Sequence, residues 1–474
     1  MTLIGRFSLE SETIANPSIP TFFIALAGSK PLTAQRFGTL WEERGMEEKH
    51  PRFHHAVSPT HRGYFEPTEE LQVTDTLFPM VYREDLKYRI QSCLTHPLTV
   101  TDALWQVQIT SGEMGKSGAI PRFKATRLSQ QFPDYQESIL LFRGHHALAD
   151  GVSLTAAFSD LCDEAQDIRD AIHREIKRRR GPSQTMLQKL ARFCKRLAWF
   201  CYGSIQAMLH YLYLLLFTPD NPFDSLRELL PPSKGRTVSW CDAAPLDQVK
   251  QVAHSMGPRV TVNDVMVSCV TYAVARQLEQ HRRYLETVFP NKGIQQTHST
   301  INVVIPVHLG GGVLLPGQAV GNNIGAFCAQ VPGESTDDSA ESRLQQVHDS
   351  LYTVKNTPAP FLSFLFAKMA SSTLPPSITK RLFETSQAHA CVAITNNRGS
   401  SNKLHLDGQE IQSIAGFLPL PPGIPIGVSV TSYAGTVSLS VTAEPWAVPN
   451  ADQFLMWVLE EYSRLQRAAE KKSN

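Results

Sequence analysis

FRGHHALADG, residues 142–151, closes an apolar run with two adjacent histidines, an aspartate four positions after the second of them, and a glycine. The residues leading into it, ESILLFR at 137–143, form a short apolar and aromatic run bounded by polar residues and read as a strand. Those that follow, GVSLTAAFSDLCDEAQDI, place Val152, Ala156, Ala157 and Leu161 near one face at helical spacing, so a helix is predicted to begin just past Asp150. The histidines therefore fall at a strand-to-helix junction. There an imidazole can present one nitrogen to a cleft while the other bonds a local carbonyl that fixes its tautomer, which suits a general base. The i to i+4 spacing of His146 and Asp150, with Gly151 allowing a tight backbone, lets the carboxylate turn back to brace the loop, with an arginine expected as its ion-pair partner. A second pair in RFHHAVSP, 52–59, has no aspartate or glycine in register, and His54 and His55 read as surface or packing residues.

Working outward, ALWQVQIT (103–110) is a second strand of the same sheet, and the polar stretch 112–136 is an exposed connection between the two. Between Arg169 and Arg196 ten Lys or Arg face two acids, and LAWFCYGSIQAMLHYLYLLLF, 197–217, then carries no Asp, Glu, Lys or Arg over 21 residues. That length is close to the ~20 residues an α-helix needs to cross a bilayer. Trp199, Phe200, Tyr202, Tyr211 and Tyr213, with the basic cluster, fit anchoring to an anionic leaflet, whereas Ser204, Gln206 and His210 favour an interfacial helix over a span. The same segment also reads as a crossover helix between two domains. In the second half, CDAAPLDQVKQVAHSMG suggests a strand edge and a helix, and TVNDVMVSCVTYAVARQLEQH a buried helix entered at Asn263-Asp264. Strands are expected at TINVVIPVHL (300–309), ACVAITN (390–396), PIGVSVTSY (425–433) and TVSLSVTAE (436–444). The last two are joined by a tight Ala-Gly turn, and a closing helix follows from about Asp452 to Ala469.

At 474 residues the chain exceeds one hydrophobic core, and strands mix with helices in both halves, so the reading is α/β with two domains. The boundaries are 1–185, a basic and apolar crossover at 186–235, and 236–474. A net charge of +1 offers no phosphate-binding excess, so no nucleic-acid partner is expected. Eight cysteines without metal or redox spacing, no Asn-x-Ser/Thr sequon and no leader pattern at the N-terminus argue against secretion. SGEMGKSG (111–118) lacks the first glycine of a phosphate loop, no Gly-x-Ser-x-Gly elbow occurs, and HLGGGV (308–313) reads as a surface turn.

HHALADG resembles the active-site motif of CoA-dependent acyltransferases, and the chain is similar to the bacterial and plant wax ester synthase/acyl-CoA:diacylglycerol acyltransferase family over most of its length. ALWQVQI resembles that family's Pro-Leu-Trp segment and TVNDVMVSCV its Asn-Asp motif. VVIPVHL with GNNIGAFCAQVP resembles its central strand and partner, and PIGVSVTSYAGTVSLSVTAE its C-terminal signature. Two departures stand out: Ala103 replaces a proline before Leu104-Trp105, and TNNRGS (395–400) stands where relatives have Asn-Val-Pro-Gly-Pro, in a loop that includes Asn396.

The resemblance implies two chloramphenicol-acetyltransferase-like domains with a mixed sheet in each and a substrate channel between them. It implies transfer of a fatty acyl group from acyl-CoA, a co-substrate with no further cofactor or metal, to a fatty alcohol or diacylglycerol. His146 would be the general base, His145 a positioning neighbour and Asp150 structural support. Gly151, Asp264, Trp105 and Asn396 would belong to the substrate site or its framework, and Asn263 would be either oxyanion donor or helix cap. The expected location is a cytosolic membrane face, the endoplasmic reticulum in a eukaryote, or a lipid-droplet surface. Two other readings stand beside it: a non-catalytic lipid-surface protein of the same fold, and a condensation-domain-like acyltransferase with another acceptor.

Overall fold

The computed structural model describes the chain apart from residues 14–15, 62, 69–72, 76–82, 112–135, 181–185, 218–220, 230–234, 289–299, 312–320, 335–338, 388 and 474. The connection expected at 112–136 and the phosphate-loop look-alike thus lie almost wholly outside the described residues.

Two six-stranded sheets carry the fold. The first runs β11 (His405–Leu406), β12 (Gln409–Phe417), β1 (Thr21–Gly28), β6 (Gln136–Gly144), β5 (Trp105–Ser111), β4 (Val73–Asp75), antiparallel except between β4 and β5. The second runs β7 (Thr237–Pro245), β14 (Thr436–Ala443), β13 (Ile426–Tyr433), β10 (Ala390–Arg398), β8 (Thr300–His308), β9 (Ile324–Pro332), with parallel pairs β13–β10 and β10–β8. A ribbon of β2 (His55–Val57) and β3 (Phe65–Pro67) stands beside them.

The strand β6 does not alternate because both of its faces are buried. Leu140 and Phe142 enter a core with Trp41, Phe53 and Trp105, while Ile139 and Leu141 enter another with Ile90, Trp240 and Phe417. The second sheet packs one face against the helices Val262–Val288, Ala340–Lys355 and Ala451–Ser473. In β8 this puts Ile301, Val303 and Ile305 in the core and leaves Val304, Pro306 and His308 on the opposite face. The β13–β14 turn is the expected tight one, with Ala434 and Gly435 both at positive φ (47° and 79°), the geometry of a two-residue hairpin.

The halves are stitched together by the chain itself. β12 comes from the C-terminal stretch yet pairs with β1, Thr21 opposite Phe417. The expected crossover segment is one 32-residue helix, Met186–Phe217, about 48 Å long at 1.5 Å per residue. Among the described residues no helix is long and apolar enough to cross a membrane.

Candidate active site

The strand β6 delivers the histidine motif and the core beneath it fixes its height. Gly144 pairs with Trp105, the His145 N–H donates to the Leu104 carbonyl at 2.6 Å, and the His146 N–H donates to the Ser18 carbonyl at 2.8 Å. Trp105 is buried, stacks on Trp41 with ring centroids 4.9 Å apart, and donates its indole N–H to the Phe53 carbonyl at 2.7 Å. Its place is the floor under the motif, inside the core.

The two histidines differ in every contact. His145 is buried, and its Nδ1 accepts the Ala147 N–H at 2.9 Å. The proton therefore sits on Nε2, which donates to Glu12 Oε2 at 3.0 Å. His146 is half-buried, and its carbonyl accepts the Asn322 side-chain N–H at 2.8 Å. Its Nδ1 is buried without a hydrogen-bond partner, whereas Nε2 is not among the buried unpartnered atoms. Burial pulls the His146 pKa below its ordinary 6.5, opposed by the Asp150 charge, its own carbonyl and Asn322. Burial thus favours the neutral ring.

Asp150 is buried and spans both halves of the molecule. Its Oδ1 accepts the Ser153 N–H at 2.8 Å, which caps the helix Gly151–Leu161, and its Oδ2 accepts the Asn323 N–H at 2.8 Å. Its own N–H donates to the Gly321 carbonyl at 2.9 Å, and Ser153 Oγ donates to the same carbonyl at 2.9 Å. The expected arginine contributes only at range. Arg52, pulled by burial to about 10, feels the Asp150 charge, while its Nη2 donates to the Ala147 carbonyl at 3.2 Å. The nearest imidazole to the carboxylate from the second sheet is His308, with Nε2 3.9 Å from Oδ2 and both ring nitrogens buried and unpartnered.

The remaining expected residues divide. Gly151 has an ordinary backbone, outside the left-handed region. What its missing side chain provides is proximity, since a Cβ there would lie 3.5 Å from Asn397 Oδ1. Along β10 the core residues Val392 and Ile394 set the phase, so Asn396 falls on the helix-covered side, where its amide N–H donates to Asn263 Oδ1 at 3.5 Å. Asn397, one position on, is the residue that meets the motif. Asn263 does not cap its helix. Thr261 Oγ1 accepts the Asp264 N–H at 3.3 Å and Asp264 Oδ2 accepts the Thr261 N–H at 2.9 Å, a reciprocal capping box. The buried Asp264 also accepts from His348 Nδ1 at 2.9 Å and Lys355 Nζ at 3.2 Å, tying two helices together. His54 and His55 lie in the packing layer, His54 Nε2 accepting the Trp41 indole N–H at 2.9 Å.

Glu12, Ser18, Arg52, Asn322, Asn323 and His308 are the site residues that sequence reasoning did not single out. Only the asparagine pair carried a signal, two amides directly before the apolar run that forms β9.

Residues 320–466 match the family described as WS/DGAT C-terminal domain. A sequence search of curated proteins returns no match. Among solved structures the chain is similar to the wax ester synthase/diacylglycerol acyltransferase from Marinobacter aquaeolei VT8, at 15% identity and a TM-score of 0.61, over 99% of this chain and 100% of that one. It is also similar to the trichothecene 15-O-acetyltransferase from Fusarium sporotrichioides, at 10% identity and 0.59, over 98% and 94%. The first condensation domain of the calcium-dependent antibiotic synthetase matches at 11% identity and 0.55, over 98% and 94%. At these identities the likeness carries the fold: the two-domain α/β architecture of chloramphenicol-acetyltransferase-like enzymes.

Proposed function

We propose that the chain, whose residues 320–466 match the WS/DGAT C-terminal domain family, transfers a long-chain acyl group from acyl-CoA to a fatty alcohol or a diacylglycerol. What supports this reading is the placement of His146, pinned through both its backbone N–H and its carbonyl with Nδ1 buried and unpartnered, while burial favours its neutral form. In this reaction Nε2 takes the hydroxyl proton as the alcohol oxygen attacks the thioester carbonyl carbon. The tetrahedral intermediate then expels the CoA sulfur, the C–S bond breaks, and the imidazolium returns the proton to that sulfur. An ester and free CoA leave, with no acyl-enzyme between. His145, locked to Glu12, fixes the strand end, and Asp150 fixes the loop. A water-insoluble acceptor also calls for contact with a membrane or lipid droplet.

The exposed apolar helix Met186–Phe217 and the altered TNNRGS loop favour a second reading, a lipid-surface protein without catalysis. An acceptor competition separates the two. Purified protein is given radiolabelled palmitoyl-CoA with equal hexadecanol and diacylglycerol, and the products are resolved. Wax ester or triacylglycerol supports the transferase and names its acceptor; a folded protein that makes neither sinks it.

A further inference from the structure

We propose that the helix Met186–Phe217 and the helix pair Ala359–Thr373 and Pro376–Gln387 form one docking face for an anionic lipid surface. On the first helix the buried stripe is narrow, Gly203, Ala207 and Leu214, and the described side chains from Met186 to Trp199 are all exposed. They include Leu187 and Phe193, 79% and 62% exposed. Most helical stability in proteins comes from packing an apolar face, and this helix leaves much of its apolar surface unpacked, so that surface calls for a partner. The second element was not expected from sequence. Phe361, Leu365, Phe366, Met369, Ile378 and Leu382 all lie exposed on it.

The two elements are contiguous. The Trp199 indole N–H donates to the Asn356 carbonyl at 3.0 Å, and the rings of Phe200 and Phe361 lie 5.9 Å apart. A Cβ on Gly203 would lie 2.7 Å from Pro358 Cδ, so the absence of one is what admits this approach. The charge pattern selects the occupant. Arg192, Lys195, Arg196, Lys368 and Arg381 are exposed, Met186–Phe217 contains no acid, and Ala359–Gln387 contains only Glu384. A second copy docking by two-fold symmetry would set like charge on like, whereas an anionic lipid surface is complementary to both the cations and the apolar residues.

The face also adjoins the motif's support. A Cβ on Gly325 would run into the Pro360 carbonyl oxygen, and the Ala326 N–H donates to Ser363 Oγ at 2.7 Å. Two and three residues before Gly325 are Asn323 and Asn322, which hold Asp150 and His146. The docking helix and the motif are thus tied to the two sides of one strand entrance. This deepens the proposed function by naming where an insoluble acceptor is presented, and it rests on that reading only for its purpose.

The test is co-sedimentation of the full chain with phosphatidylcholine vesicles, with and without phosphatidylglycerol, in the absence of substrates. The wild type is expected to pellet with the anionic vesicles and to be released by salt. Phe193→Asp and the double change Phe366→Asp with Met369→Asp are each expected to weaken binding by about tenfold or more, with unchanged circular dichroism because all three side chains are exposed. Anionic-vesicle binding that survives the 366/369 change overturns the proposal. So does a concentration-dependent dimer, without vesicles, that the same variants abolish. Vesicle binding without ester from any acceptor sustains the docking face and sinks the transferase, while ester formation without vesicle binding does the reverse.

Discussion

Removing the Asp150 carboxylate should cost the protein a brace before it costs any chemistry. In Asp150→Ala the Ser153 N–H loses its helix cap, about 1 kcal/mol. The Asn323 N–H loses a buried bond to a charged acceptor, about 1.5–3 kcal/mol. Both bonds are 2.8 Å long and the carboxylate is fully buried, so no water replaces them at once. The sum, about 2.5–4 kcal/mol, should lower Tm by about 2–4 °C for a chain of 474 residues that melts as one unit. Asp150→Asn keeps one acceptor oxygen and should show a smaller drop. Differential scanning calorimetry gives the stability, and ester formation below the transition gives the second readout. Because Asn322 holds the His146 carbonyl next to the freed Asn323, turnover should fall in the folded variant as well. An Asp150→Ala protein that melts with the wild type while losing all activity would refute the brace and make Asp150 a reacting group.

Glu12→Ala should strand the buried His145 Nε2–H and lower stability by about 1–3 kcal/mol, read by urea denaturation, whereas Glu12→Gln keeps an acceptor and should cost less. Because burial holds the His146 pKa below 6.5, kcat/KM should rise with pH through an inflection below 6.5 and stay flat above it. The sign for stability follows the same shift: the unfolded chain takes up this proton near 6.5 and the folded one resists, so His146's contribution is present above 6.5 and lost as pH falls. An inflection above 6.5 contradicts this assignment. Gly325→Ala places a methyl group against the Pro360 carbonyl, so the strand or the helix must move, at about 3 kcal/mol or more; wild-type melting would show that this approach is not tight.

What could be read from sequence was local. The apolar run of β6, the helix start just past Asp150 and the Ala434-Gly435 turn each depend on residues within a few positions of one another, so pattern sufficed. The helix after Asp150 starts where expected but is slightly out of phase and stops at Leu161: Ser153 and Leu154 are buried beside Ala157 and Leu161, whereas Val152 and Ala156 are half-buried. β1 and β12 escaped notice because each is defined by a partner some 390 residues away. Glu12 reaches His145, and Asn322 reaches His146, through the same long-range closure. Asn396 and Asn397 are sorted by strand phase. Strand alternation from Val392 and Ile394 sends Asn396 to the helix side and Asn397 to the motif, and that phase was available in the sequence. Trp105 pairs with Gly144 at the end of the motif's strand and forms its floor, because its indole N–H finds a backbone carbonyl inside the core.

The central claim, that the His146 imidazole moves the proton in acyl transfer, is tested most directly by ester formation from palmitoyl-CoA by the wild type and by His146→Ala, with melting curves taken on the same preparations. The account predicts a folded variant whose turnover is lower by about 10²–10⁴-fold, the usual contribution of general acid–base catalysis. Wild-type turnover in the folded variant would contradict it.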